Sequence, residues 1–158
     1  MLDGVRREQR DGLRYGSIVA TGWYPVEDQA ALFRGACERT GGGLALARRL
    51  GADAIARDLR GPYAAFARML GPERMLSVSS RLFDKYYDTG RAEVLASRRG
   101  FAEVQWVECR GFGEHVLTNI VGAAEGLLNV LGAQHVRVHV VAGGGKNDDF
   151  IRATGHWQ

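Results

Sequence analysis

The chain has 158 residues, 46% of them hydrophobic and 25% charged, a composition that excludes disordered, collagen-like and low-complexity classes and fits one domain with its own core. Its 21 basic and 18 acidic residues leave a net charge of only +3, and the basic pairs Arg6-Arg7, Arg48-Arg49 and Arg98-Arg99 are scattered, so no dense basic face marks a nucleic-acid binder. Cys37 and Cys109 form no CxxC pair, which excludes a zinc motif and a disulfide framework and reads as two buried thiols. No apolar run is long enough to span a membrane and the polar start has no signal-like core, so a cytoplasmic location is expected.

Residues 1–14, with Arg6, Arg7, Arg10 and Arg14 among Asp3, Glu8 and Asp11, read as a flexible or weakly helical lead to a single domain over 15–158. A short strand is expected at Tyr15 to Thr21. Pro25 suits a first helical turn, Glu27 and Asp28 favour the positive end of the helix dipole, and Ala30, Phe33, Ala36 and Cys37 make an apolar stripe ending at Gly41-Gly42-Gly43. A second helix is expected from Leu44 to Leu59, with Leu46, Leu50, Ala54 and Ile55 inward. A short third holds Tyr63, Phe66 and Met69 before the Gly71-Pro72 break. Helical spacing resumes over Met75, Leu76, Phe83 and Tyr86 until the Asp88-Thr89-Gly90 turn.

The period then drops to two. Val94 and Ala96 alternate with Glu93 and Ser97, and Ala102, Val104 and Trp106 with Glu103 and Gln105, across a turn at Arg99-Gly100: an antiparallel hairpin. His115 to Leu131 is a helix apolar on more than one face, hence buried between layers. Val136, Val138 and Val140, the loop from Gly143 to Asp148, and a last strand from Phe150 to Trp157 make a second hairpin. The expected fold is therefore α+β, with N-terminal helices packed on an antiparallel sheet of two hairpins that flank a long buried helix.

Several short motifs resemble a known family. Tyr24-Pro25, Leu70-Gly71-Pro72-Glu73-Arg74, the turn at Tyr87-Asp88-Thr89-Gly90, and Gly122 to Ala133 followed by Val136 to Val140 are similar to the myxobacterial paralogous domains of uncharacterised function. Those are in turn similar to the haem NO-binding and 4-vinyl-reductase-like superfamily. The resemblance implies helices on an antiparallel sheet, a ligand cavity or dimer surface between the layers, and a role in sensing or scaffolding. Haem-binding relatives use a histidine upstream of a Tyr-x-Ser-x-Arg pattern that holds the propionates. Here Tyr87-Asp88-Thr89-Gly90-Arg91 departs from that pattern by one residue and all four histidines follow it, so no cofactor is expected.

The remaining candidates for chemistry have plainer readings. His135 and His139 on one strand would stand about 13 Å apart, too far to share a metal. Glu114 beside His115 could form a proton-transfer pair, but a first-turn glutamate also serves the helix dipole. Gly143-Gly144-Gly145-Lys146 lacks the spacing of a phosphate loop and reads as a hairpin loop. Ser77, Ser79 and Ser80 lack a nucleophile-elbow context. Cys109 beside Arg110 is either a thiol of lowered pKa or a small buried residue.

The sequence thus favours a non-enzymatic regulatory or sensory domain that binds a small apolar molecule or a protein partner and is able to form a homodimer. The expected ligand-binding residues are Tyr86, Tyr87, Arg91, Trp106, Cys109 and Phe112, with no catalytic or metal-binding set. The alternatives are a small enzyme or redox protein using Cys109 or Glu114 with His115, and a nucleic-acid accessory protein.

Overall fold

A computed structural model describes residues 4–19, 22–60, 62–76 and 79–158, with backbone alone at 62–64, 66–67 and 79–80. The elements are α1 (Arg7–Tyr15), α2 (Val26–Thr40), α3 (Gly43–Asp58), α4 (Pro62–Leu76), α5 (Ser79–Phe83), β1 (Arg91–Arg98), β2 (Phe101–Val107), α6 (Gly113–Val130), β3 (Arg137–Gly143) and β4 (Ile151–His156). Both hairpins are present, and β2 pairs with β4 to join them into one antiparallel sheet of order β1-β2-β4-β3. The architecture is α+β, with helices on one face of this sheet.

The polar lead is helical at α1 and is tied to the body by Arg6, whose backbone N–H and Nε each donate to the buried carboxylate of Asp28 at 3.0 Å. The expected strand after it does not form at 17–19, and residues 20 and 21 lie outside the described residues. Pro25 stands one position before α2 instead of inside its first turn. At Gly71 the backbone turns to φ 73°, ψ 168°, so α4 is two helical pieces broken where the Gly-Pro pair required it. Of the expected helix from Met75 to Tyr87, α4 holds Met75 and Leu76, α5 covers Ser79–Phe83, residues 77 and 78 lie outside the described residues, and Tyr86 stands in a turn with Tyr87 just after it. The side chains of Tyr63, Phe66, Ser79 and Ser80, and the whole of Ser77, lie outside the described residues.

In the sheet, Ala102, Val104 and Trp106 share the inward face, as their alternation requires, and Ala102 and Trp106 are buried. The alternation of the outer strands fails at two register shifts, between Val94 and Ala96 in β1 and between Val140 and Ala142 in β3. Cover from the helices gives out before each shift: Ala92 and Val138 are buried, whereas Val94 and Val140, on the same faces, and Leu95 are exposed. His135, expected on a strand, occupies a left-handed turn position before β3, and His139 is exposed on it. Gly143-Gly144-Gly145-Lys146 closes the β3–β4 hairpin, where Gly145 N–H donates to Asp148 Oδ2 at 2.8 Å.

Helix α6 is the hub. Val116, Leu117, Ile120, Val121, Leu127 and Leu128 are buried on several of its faces, as an all-round apolar helix demands. Its crossing with α3 is a backbone-to-backbone approach. A Cβ at Gly51 would strike the Asn119 carbonyl oxygen, one at Gly122 would strike the Arg48 carbonyl oxygen, and one at Gly126 would lie 2.7 Å from Ala52 Cα. Arg48 adds a lateral tie, donating from Nε to Glu125 at 2.8 Å and from Nη2 to the Val138 carbonyl at 2.6 Å.

Replacing a helical glycine by alanine normally stabilises by about 1 kcal/mol. For Gly51→Ala the sign is expected to reverse, with a loss of about 2–3 kcal/mol in urea unfolding, because the new methyl meets backbone that cannot rotate away.

Candidate ligand cavity

Between α3, α6, the α5 region and the inward face of the sheet lies a cavity of about 410 Å³, within the roughly 300–1,000 Å³ typical of small-molecule sites. It exists because small residues line facing walls: Ala92, Ala102, Ala153 and Gly155 on the sheet, Gly51 and Ala54 on α3, Ala123 and Ala124 on α6. Larger apolar groups, among them Ile55, Leu76, Phe83, Trp106, Ile120 and Leu128, complete the lining. The polar groups are few. Tyr86 Oη donates to Asp58 Oδ2 at 3.0 Å, and Gln29 Nε2 donates to Tyr87 Oη at 3.4 Å. Exposed Arg57, Asp58 and Tyr86 mark the open side.

The expected site residues divide into two groups. Tyr86, Tyr87 and Trp106 line the cavity. Phe112 does not line it; fully buried, it supports the wall from behind, its ring centroid 4.8 Å from that of Tyr87, which lies 5.0 Å from Phe83. Arg91 is exposed and turned to other work: its guanidinium pairs with Glu93 at 2.6 Å and with Glu108. Gln105 and Arg91 together hold Glu93 ionised, lowering its pKa.

Cys109 is wholly buried outside the lining, and burial, reinforced by nearby Asp149, pushes its thiol up to about 12. This is the reverse of the lowered pKa that a neighbouring cation would produce. Burial also raises Cys37. The Glu114–His115 pair stands at 3.8 Å, too long for a hydrogen bond, and neither residue lines the cavity. Burial and the Asp58 carboxylate raise Tyr86 to about 12, and burial raises Tyr87, so both phenols hold their protons.

Sequence reasoning passed over Gln29, Asp58 and Asn119. Asn119 had one legible signal, as a single amide in the middle of the apolar stripe of α6.

No family model matches the chain, and no curated protein matches it. Solved structures do. The crystal structure of the phenol-responsive sensory domain of the transcription activator PoxR, with phenol, aligns over 96% of this chain and 91% of its own with a TM-score of 0.64 at 17% identity. An unliganded Fe(II) H-NOX mutant from K. algicida aligns over 99% and 89% with a TM-score of 0.63 at 11% identity. An H-NOX mutant from T. Tengcongensis aligns over 87% and 76% with a TM-score of 0.54 at 14% identity. The chain has the H-NOX-like fold.

One further solved neighbour carries a haem whose redox potential is modulated through protein-induced porphyrin distortion, so the cavity's donors bear on whether haem fits here. All four histidines are described, and none lines the cavity. No cysteine lines it either. Neither lining phenol is free to face an iron: Tyr86 donates to Asp58, and Tyr87 Oη accepts from Gln29. Arg91, the counterpart of the propionate-holding arginine in the resemblance, is spent on Glu93 and Glu108. The residues present do not fit haem.

Both thiols are expected to resist a disulfide reagent at pH 8 in the native protein and to react fully in denaturant. Because the folded chain keeps the Cys109 and Tyr86 protons that the unfolded chain releases at its ordinary pKa values, stability falls as pH rises toward about 12. Alkaline urea titrations check that slope.

Proposed function

We propose that this chain is a non-enzymatic sensory domain, over residues 15–158, that takes a small apolar molecule into the cavity between its helices and sheet. The observation that carries this reading is the cavity itself: small side chains on opposing walls keep open a space that larger residues would close, at a cost in packing that a purely structural domain avoids. Similarity in fold to a phenol-responsive sensory domain supports it. A catalytic role has less support, because Cys109 is buried and protonated and Glu114 is not hydrogen-bonded to His115.

With this reading we propose the finer assignments: membership of the myxobacterial paralogous family, carried by Tyr24-Pro25, Leu70-Gly71-Pro72-Glu73-Arg74 and Gly122 to Ala133, a cytoplasmic location, and a homodimer. Light scattering at twice 17.3 kDa is the result expected for the dimer.

Titration with the apolar fluorophore N-phenyl-1-naphthylamine tests the cavity. Saturable binding is expected, and Ala153→Leu, which fills the floor from β4, is expected to weaken it at least tenfold while thermal unfolding remains cooperative. Non-saturable binding, or binding indifferent to this substitution, would count against the reading. Added hemin is expected to give no sharp Soret band at one equivalent; a stoichiometric band would reverse the conclusion on haem.

A further inference from the structure

Among the described polar side chains that line the cavity, Asn119 is the buried one that keeps an unpaired end. Asn119 is only 9% exposed, on an α6 whose neighbouring positions are apolar, and it lines the cavity. Its Nδ2 donates to the Ala47 carbonyl of α3 at 3.0 Å. Because that partner only accepts, the amide orientation is fixed, and Oδ1 is the free end. Among the described residues Oδ1 has no hydrogen-bond partner.

Nor is this oxygen sealed in. The buried polar atoms without a partner, among the described residues, are Gln9 Oε1 and Arg152 Nε, so Asn119 Oδ1 opens onto space. The space that Asn119 borders is the cavity. The other polar lining groups are less buried: Tyr86 donates to exposed Asp58, half-buried Gln29 donates from Nε2 to Tyr87 and keeps Oε1 unpaired among the described residues, and Arg57 stands in solvent.

We infer that Asn119 Oδ1 is the specificity determinant of the cavity, accepting a hydrogen bond from a small, neutral, largely apolar ligand that carries an O–H or N–H group. This deepens the ligand-binding reading and rests on it. A buried acceptor gains most from a donor that arrives with its own apolar surround, since both then leave water fully matched. An anionic ligand is disfavoured at this point, because its oxygens would meet Asn119 Oδ1 lone pair to lone pair and no described cation lines the interior.

The test is a set of ligand pairs in which a methyl group replaces the donor hydrogen: indole against 1-methylindole, and cyclohexanol against methoxycyclohexane, measured by calorimetry and by displacement of N-phenyl-1-naphthylamine. In the wild-type chain the donor member of each pair is expected to bind about tenfold tighter. In Asn119→Leu, which removes the acceptor and keeps an apolar wall, the gap between the members of each pair is expected to shrink to within about twofold. Equal binding of both members to the wild-type chain, as would follow if a water satisfies Oδ1, overturns the assignment to Asn119 and leaves the cavity reading standing. An undiminished gap in the variant overturns it as well. Failure of every ligand to bind overturns both. Should the variant not fold, the wild-type pairs alone decide.

Discussion

The contact on which the rest of the structure depends is the crossing of α3 and α6. Gly51, Gly122 and Gly126 let two backbones meet without side chains between them, and Asn119 and Arg48 lock the pair with hydrogen bonds to backbone and to Glu125. Such an approach has two effects. It consumes the face of each helix that would otherwise seek other partners, and it fixes how far α6 can settle onto the sheet. Because α3 holds α6 from one side while Phe112, Val116 and Val121 anchor it in the core, α6 does not collapse onto the alanines and glycine of the strands. The cavity is the residue of that arrangement.

Aromatic packing supports the wall that the helices do not make. Phe83, Tyr87 and Phe112 stack in a short series, so the turn after α5 has a defined position although α5 itself is too short to define one. The polar groups around the cavity are then placed by independent elements: Tyr86 by this turn, Asp58 by the end of α3, Asn119 by the middle of α6.

How much of this was legible in the sequence depends on whether the determining contact was local. The hairpins were, because a period of two in residues 101–107 and a glycine at position 100 state their own geometry. The buried character of α6 was, because its apolar residues cover several faces. The limits of the outer strands were not, since the bulges after Val94 and Val140 answer to the partner strands. The end of the helix at Phe83 was not, because Met75, Leu76, Phe83 and Tyr86 keep a helical spacing although Tyr86 stands in a turn. In the site, Tyr86, Tyr87 and Trp106 were found through their bulk. Arg91 was misplaced because its partners, Glu93 and Glu108, come together only when β1 is laid beside β2. Asn119 was passed over because an isolated amide acquires meaning only when Ala47 is seen to take one of its two ends.

The hydrogen bond between Tyr86 and Asp58 joins two exposed residues of the cavity lining, one in a turn and one at the end of a helix. One neutral-to-charged hydrogen bond at a half-exposed position is worth about 1–3 kcal/mol at most, far below the cost of unfolding a domain. In the proposed sensory role, loss of this one hydrogen bond would leave the α3–α6 crossing and the sheet intact.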